Sequence, residues 1–174
     1  TIHKKRSWSP GSINLFDLIA GEARVMPHVH LSLQHGHDLI LKRMKRRHTR
    51  TQAIGLVQQI KARRPEVAIG ADLIAGFPTE TPEMHANNLS IVRECDVVHG
   101  HIFPYSPRPG TPAAKMPQVA PLLVKERAAE LRAAVADHRG RWLDTLLGQP
   151  ATVLAERDGT GHGQRQTHHG VFSS

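Results

Sequence analysis

The stretch Val67–Phe77 reads VAIGADLIAGF, and PTETP follows it directly over residues 78–82. Its nearly continuous apolar character is typical of a strand that is covered on both faces of a parallel sheet. Thr81 has the residue type of a helix N-cap, and Pro82 suits the first turn of a helix. Strand, turn and helix thus follow one another at once, an order that predicts an α/β fold with parallel strands.

Similar units lie on both sides of this stretch. Alternating apolar and polar side chains predict a strand over 28–33, and residues 97–103 predict another. A loop over 104–121 holds six of the 12 prolines, and a loop of that length is usually functional. Helices are predicted over 13–20, 38–45, 49–64, 82–95 and 122–147. Three parallel strands with right-handed crossovers predict an arc of a (β/α) barrel, whose site lies at the carboxyl ends of the strands.

The chain is basic, with a formal net charge of +8 and 13 further histidines. Six of its cationic residues lie within nine positions: Lys42, Arg43, Lys45, Arg46, Arg47 and Arg50. Such a cluster favours a polyanion, although it is also typical of a solvated basic helix end. No run approaches the roughly 18 apolar residues of a membrane span, so no membrane partner is expected.

The sequence contains one cysteine, Cys95, which follows Ile91 and Val92 at helical spacing. One cysteine excludes an internal disulfide and a cysteine-held metal cluster within this chain. The spacing predicts a buried thiol on a helix face. A lone cysteine fits a reducing compartment, and the chain is expected in the cytoplasm.

Four motifs occur in order along the chain: HLSLQHG over 30–36, LKRMKR over 41–46, DLIAGFPTET over 72–81 and FPYSPRPGTPAA over 103–114. In this order and at strand ends, they resemble the motifs of radical-SAM tRNA methylthiotransferases. The resemblance covers roughly Leu15 to Leu147. Thr79, where many members have glycine, and the run ERDGTGH over 156–162 resemble the branch that acts on threonylcarbamoyladenosine.

This resemblance implies a reaction in which a [4Fe–4S] cluster, held by three cysteines, reduces S-adenosylmethionine (SAM) to a 5′-deoxyadenosyl radical. The radical takes hydrogen from C2 of N6-threonylcarbamoyladenosine next to the anticodon of tRNA, and a second cluster delivers the methylthio group. In the family all cluster cysteines lie upstream of the matched region. The chain is therefore expected to be inactive alone and to need the missing N-terminal half of the enzyme.

The resemblance also divides the chain into three segments. Residues 1–12 are an atypical lead-in, and residues 13–148 form the partial radical-SAM barrel. Residues 149–174 combine the start of a truncated C-terminal RNA-binding β-barrel, with a strand from Ala151, and an atypical tail. The abrupt changes of pattern at both ends predict a truncated or frame-disrupted gene product.

Cofactor-binding roles are predicted for six residues at or near the strand ends: Gln34, Asp72, Gly76, Glu80, Tyr105 and Arg108. Gln34 offers a donor and an acceptor, or it closes its turn. Gly76 permits a ligand to approach the backbone. Glu80 orients a ligand hydroxyl or amine, or it supports the helix that follows.

The other three residues carry a charge or an aromatic ring. Asp72 lies within an apolar strand, so its carboxylate is either functional or paired with an arginine or lysine. Tyr105 either stacks on adenine or packs in the core. Arg108 lies in a proline-stiffened loop and is predicted to bind the carboxylate of SAM or a phosphate of tRNA. The predicted RNA-binding residues are Lys42, Arg43, Lys45, Arg46 and Arg47.

Two other functions remain open. The basic cluster is also compatible with a non-catalytic RNA-binding α/β module. A metal-dependent hydrolase is a further alternative, because histidine pairs lie two residues apart at 28 and 30, 35 and 37, and 99 and 101. No cysteine or carboxylate set lies at ligand spacing from these pairs, so no metal site is predicted.

Overall fold

The computed structural model describes residues 15–22, 24–149, 153–155 and 161–163. Three parallel strands form a sheet in the order β1 (His28–Gln34), β2 (Ala68–Ala75) and β3 (Val97–Pro104). The predicted α/β class with parallel strands is confirmed. The helices are α1 (Leu15–Gly21), α2 (Asp38–Arg43), α3 (Arg50–Arg63), α4 (Pro82–Glu94) and α5 (Pro121–Asp144), with a short 3-10 helix at Pro112–Lys115.

The two faces of β2 have different surroundings. Ala71, Leu73 and Ala75 are buried in one apolar core with side chains of α3, α4 and α5. Asp72 and Ile74 point to the other face and are only half-buried. The apolar sequence of β2 predicted that both faces are covered. Among the described residues this is wrong for the carboxyl half of the strand, where the face with Asp72 stays open.

Local signals predicted the starts of the helices well. Thr49 caps α3 in a reciprocal capping box with Gln52, and Thr81 caps α4 by accepting a hydrogen bond from the Met84 amide. The end of α2 was predicted two residues too late. Lys45 has a φ of 58°, a left-handed conformation that cannot continue a helix.

The turn after β1 is held directly against α4. The Gly36 amide donates to Asn88 Oδ1 over 2.9 Å, and Asn88 Nδ2 donates to the carbonyl of Ile74 over 2.9 Å. Arg50 donates to the Gly36 carbonyl over 2.6 Å and to the Asn87 carbonyl over 2.8 Å. A Cβ at Gly36 would lie 2.2 Å from the Asn87 carbonyl oxygen, so only glycine fits. These contacts set the carboxyl ends of β1 and β2 relative to each other.

A buried ionic cluster joins the loop before α4 to the helices. The Glu80 carboxylate lies 3.4 Å from His35 Nε2, 3.4 Å from His85 Nδ1 and 3.6 Å from Arg127 Nη1. Burial raises the pKa of Glu80, but the contacts with His35 and His85 and the charge of Arg127 outweigh burial and lower the pKa to about 2. Arg127 also donates to the Glu80 carbonyl over 2.8 Å.

Beyond α5 the structure describes a short antiparallel pair, β4 (Val153–Ala155) with β5 (Gly161–Gly163). The strand predicted from Ala151 corresponds to β4, whereas β5 lies in a tail that shows no periodicity in the sequence. The predicted lead-in, residues 1–12, lies outside the described residues. None of the described helices is both long enough and apolar enough to cross a membrane.

Two glycine substitutions test the contact between the β1 turn and α4. Gly36→Ala is expected to destabilise the chain by about 3 kcal/mol, because its methyl group would overlap α4 backbone that cannot easily move. Gly55→Ala, in α3, meets no atom within 4 Å and serves as the control. It is expected to stabilise by about 0.5 to 1 kcal/mol, since glycine is a poor helix former. Urea denaturation measures the free energy of unfolding of both variants. Equal changes in the two variants would contradict a tight contact between Gly36 and α4.

The buried carboxylate predicts a pH-dependent stability. The pKa of Glu80 is about 2 in the folded chain and ordinarily 4.5, so its contribution is complete above pH 4.5 and is lost as the pH falls towards 2. Glu80→Gln is expected to cost about 3 kcal/mol at pH 7, because Arg127 keeps a buried charge without its partner. In urea titrations the difference in the free energy of unfolding between wild type and Glu80→Gln should become smaller below pH 4.5. The exposed Glu126→Gln is the control, and a gap that is constant with pH would contradict the prediction.

Candidate ligand cleft and basic surface

A cleft of about 540 Å³ lies at the carboxyl edge of the sheet. Its lining residues come from β1, β2, the end of β3 and the proline-rich loop. The carboxyl edge is the place where open α/β sheets bind ligands. Four of the six predicted cofactor-binding residues line it: Gln34, Asp72, Tyr105 and Arg108. The remaining lining residues are Arg46, Ile74, Phe103, Pro104, Ser106, Thr111 and Ala113.

Gln34 and Tyr105 combine burial with unusual local features. Gln34 is 8% exposed, and its φ of 67° is rare for a residue other than glycine. Tyr105 is held at the end of β2 by its amide, which donates to the Ala75 carbonyl over 2.8 Å, and its ring lies edge-on to Phe77 at 5.2 Å. Its buried hydroxyl has no hydrogen-bond partner among the described residues. A buried hydroxyl without a partner is unusual in a folded protein.

The cleft contains charges of both signs. Arg46 and Arg108 are exposed cations, and Asp72 is a half-buried carboxylate. An arginine or lysine was expected as the partner of Asp72 if it is structural. The structure instead places it 2.9 Å from His30 Nε2 and 3.3 Å from His101 Nδ1. The arrangement suits a ligand that carries both an anionic and a cationic group.

Two predicted cofactor-binding residues do not line this cleft. Gly76 has a φ of 71°, and a Cβ there would lie 2.6 Å from Val124 of α5. The close approach that this glycine permits is therefore to a helix side chain. Glu80 has a fully buried side chain whose carboxylate faces the cluster with His35, His85 and Arg127. The N-cap of the following helix is Thr81, so the Glu80 carboxylate contacts these three side chains and not the amides that begin α4.

Phe103 and Arg46 line the cleft but were not among the predicted cofactor-binding residues. Phe103 is 51% exposed, which is unusual for a large apolar ring. The signal was present in the sequence, because residues 99, 101 and 103 alternate onto one face of β3. The register then places Phe103 beside Ile74 and His101 beside Asp72.

The basic cluster borders the cleft through Arg46. Lys42, Lys45, Arg46 and Arg47 are all exposed, as a polyanion-binding surface requires. Arg43 is half-buried and donates from Nη1 to Thr79 Oγ1 over 2.5 Å. Of the predicted RNA-binding residues, Arg43 thus also ties the end of α2 to the loop before α4.

The lone cysteine lies in the apolar core, as its helical spacing predicted. Cys95 is fully buried at the C-cap of α4, and burial raises the pKa of its thiol to about 12. A buried thiol with a raised pKa is a poor metal ligand, since the thiolate is the ligating form. With no second cysteine in the sequence, this chain does not fit an iron–sulfur cluster.

No protein-family model matches the chain. Curated proteins do match it. The chain is 49% identical over 148 residues to the threonylcarbamoyladenosine tRNA methylthiotransferase of Rickettsia prowazekii, a match that covers 85% of the chain and 35% of that relative. It is 39% identical over 142 residues to the tRNA-2-methylthio-N(6)-dimethylallyladenosine synthase of Ruegeria pomeroyi, a match that covers 82% of the chain and 32% of that relative.

A further relative, the tRNA-2-methylthio-N(6)-dimethylallyladenosine synthase of Geobacillus thermodenitrificans, is 41% identical over 143 residues and is covered over 27% of its length. The chain thus spans about a third of the length of the curated relatives that it matches. The chain belongs to the tRNA methylthiotransferase family.

Proposed function

We propose that this chain forms part of the barrel of a radical-SAM tRNA methylthiotransferase and that its cleft contributes to binding SAM. The proposal rests mainly on one observation, the meeting of Gln34, Asp72, Tyr105 and Arg108 in a single cleft at the carboxyl edge of the sheet. Gln34 comes from β1, Asp72 from β2, and Tyr105 and Arg108 from the loop after β3, and together they span 75 positions of the sequence, from 34 to 108. Three parallel strands fit an arc of a (β/α) barrel, which other parts of the longer protein would complete.

The chemistry of the cleft suits SAM, which carries a carboxylate, an amino group, a sulfonium and an adenine. Arg108 and Arg46 are cations suited to the carboxylate, and Asp72 is suited to the amino group or sulfonium. Exposed Phe103 offers a ring for the adenine, and the unpartnered Tyr105 hydroxyl offers a polar contact. The volume of about 540 Å³ lies within the usual range of small-molecule pockets.

The iron–sulfur clusters of the reaction are assigned to another part of the enzyme. Cys95 is buried in the core and lies apart from the residues that line the cleft. The chain by itself therefore binds and positions SAM and tRNA but does not start the reaction. The complete enzyme, acting in the cytoplasm, would add a methylthio group to C2 of N6-threonylcarbamoyladenosine next to the anticodon. The similarity to the Rickettsia prowazekii protein supports this choice of nucleoside.

The proposed tRNA contact is the basic cluster at Lys42, Arg43, Lys45, Arg46 and Arg47, of which all but Arg43 are exposed and Arg46 also lines the cleft. Phosphates bound by this cluster would bring the modified nucleoside towards SAM. Residues 149–174 are assigned to the start of a truncated C-terminal RNA-binding β-barrel and an atypical tail. The same cluster also supports a second function, a non-catalytic RNA-binding module, which differs from the first in that it would not bind SAM.

Binding of SAM by the full chain tests the first function. Equilibrium dialysis with SAM and with S-adenosylhomocysteine, which lacks the sulfonium charge, is compared for wild type, Arg108→Ala and Asp72→Asn. Arg108→Ala should weaken both ligands about tenfold, or 1.4 kcal/mol. Asp72→Asn should weaken SAM more than S-adenosylhomocysteine, because only SAM carries the positive sulfur. Arg93→Ala, an exposed substitution on α4, is the control.

The result also separates the two functions. A dissociation constant of about 1 mM is near the weak end for specific ligands. If the folded chain binds tRNA but shows no saturable binding of SAM up to that concentration, the RNA-binding module replaces the proposed function. Circular dichroism of each variant verifies that it is folded.

The salt dependence of tRNA binding tests the basic cluster. Lys42→Ala combined with Arg47→Ala should weaken binding and lower the slope of log K against log salt by about 1.5, since each phosphate contact contributes about 0.7 to 0.9. The control is Arg93→Ala combined with Lys125→Ala, which removes the same charge from exposed positions on α4 and α5. Filter binding at several salt concentrations measures the slopes. Equal slopes for the two double variants would contradict the assignment.

A further inference from the structure

Three side chains from three adjacent strands converge on one point of the open sheet face. Asp72 of β2 places Oδ1 2.9 Å from His30 Nε2 of β1 and 3.3 Å from His101 Nδ1 of β3. One ligand atom from each residue lies within 4.8 Å of the other two. Neither histidine lines the cleft that contains Gln34 and Arg108, so the group forms a separate feature that shares only Asp72 with the cleft.

The register of the sheet produces this convergence. Asp72 is paired directly with His101, whereas His30 is paired with Gly70, two residues before Asp72 on the same face. Gly70 leaves room for the histidine ring, because a Cβ there would lie 2.5 Å from His30 Nδ1. The His30 ring therefore lies over β2 with its Nε2 directed at Asp72. The His30 and His101 rings are 4.8 Å apart between centroids.

Stability alone does not account for the arrangement. The side chains of His30, Asp72 and His101 are 33%, 25% and 67% exposed, so water competes for their polar atoms. Ion pairs at such positions contribute between nothing and about 1 kcal/mol. The described helices do not cover this face at Asp72, and the open side leaves coordination positions for water or a further ligand.

The distances match those of ligands on one metal ion. Donor atoms at about 2.1 Å from a metal are separated by about 3.0 Å at a right angle and about 3.4 Å at the tetrahedral angle. The 2.9 Å and 3.3 Å separations around Asp72 Oδ1 fall at these values. Because His101 is mostly exposed, its ring can turn until its Nδ1 lies at ligand distance from the same metal ion. Metal binding requires neutral rings, with the proton of His30 on Nδ1 and a lone pair on Nε2.

We propose that His30, Asp72 and His101 bind a divalent transition-metal ion at a mononuclear site separate from any iron–sulfur cluster. Two imidazoles and one carboxylate with open positions are the donor set of mononuclear zinc and non-haem iron(II) sites. The two nitrogen donors disfavour hard cations that prefer oxygen, such as magnesium and calcium. The site shares Asp72 with the proposed SAM cleft, but its two histidines do not line that cleft.

Cobalt(II) is the probe, because its visible absorption reports nitrogen and carboxylate coordination directly. The full chain is titrated with cobalt(II) chloride, and competition with zinc(II) is followed by loss of the absorption. His30→Ala, His101→Ala and Asp72→Asn are each expected to weaken binding at least tenfold, since even a residue that only supports a ligand contributes 10- to 100-fold. The control is His138→Ala, which removes a histidine that contacts Asp96 over 2.7 Å without a third ligand.

Binding of one cobalt(II) that is lost in the three site variants and kept in His138→Ala supports the site. Equal binding by wild type, His30→Ala and His101→Ala overturns it, as does loss of binding in His138→Ala to the same degree. Circular dichroism shows whether each variant is folded. The histidine variants should retain the SAM affinity of the wild type, so failure of the metal site and failure of the proposed SAM site give different results.

Discussion

The structure depends on the contact between the turn after β1 and the helix α4, which is mediated by one buried side chain. Asn88 is fully buried and uses both ends of its amide, accepting from the Gly36 amide and donating to the Ile74 carbonyl. A side-chain amide is suited to this role because it holds a donor and an acceptor in one rigid plane. The ends of two parallel strands are thereby held at a defined distance, and both strands contribute residues to the cleft.

The basic segment serves the same contact as well as the surface. Arg50, the last cation of the segment, donates to the Gly36 and Asn87 carbonyls and to Ser90, and it pairs with Glu94. Arg43 anchors the loop at Thr79. The exposed cations Lys45, Arg46 and Arg47 therefore lie in a segment whose two ends are held by side-chain contacts.

The open face of the sheet carries polar chemistry that a closed core could not accommodate. Asp72, His30 and His101 lie there together because the parallel register brings alternate residues of neighbouring strands to the same face. Glu80, in contrast, is a carboxylate in a fully buried position. Its carboxylate is enclosed between His35, His85 and Arg127, where burial would otherwise disfavour the charge. Two carboxylates close to the same strand end therefore have different environments.

Local sequence signals determined the class of fold, the strands, the helix starts at Thr49 and Thr81, and the edge at which Gln34, Asp72, Tyr105 and Arg108 meet. These features depend on periodicity, capping and chain order, which act over a few residues. Only the tertiary structure decided that Gly76 faces Val124, that Glu80 is enclosed, and that Asp72 joins two histidines. Apart from the contact of Glu80 with His85, these features depend on contacts between positions 29 to 48 residues apart in sequence. Strand register and helix packing set those contacts, and no local pattern specifies them.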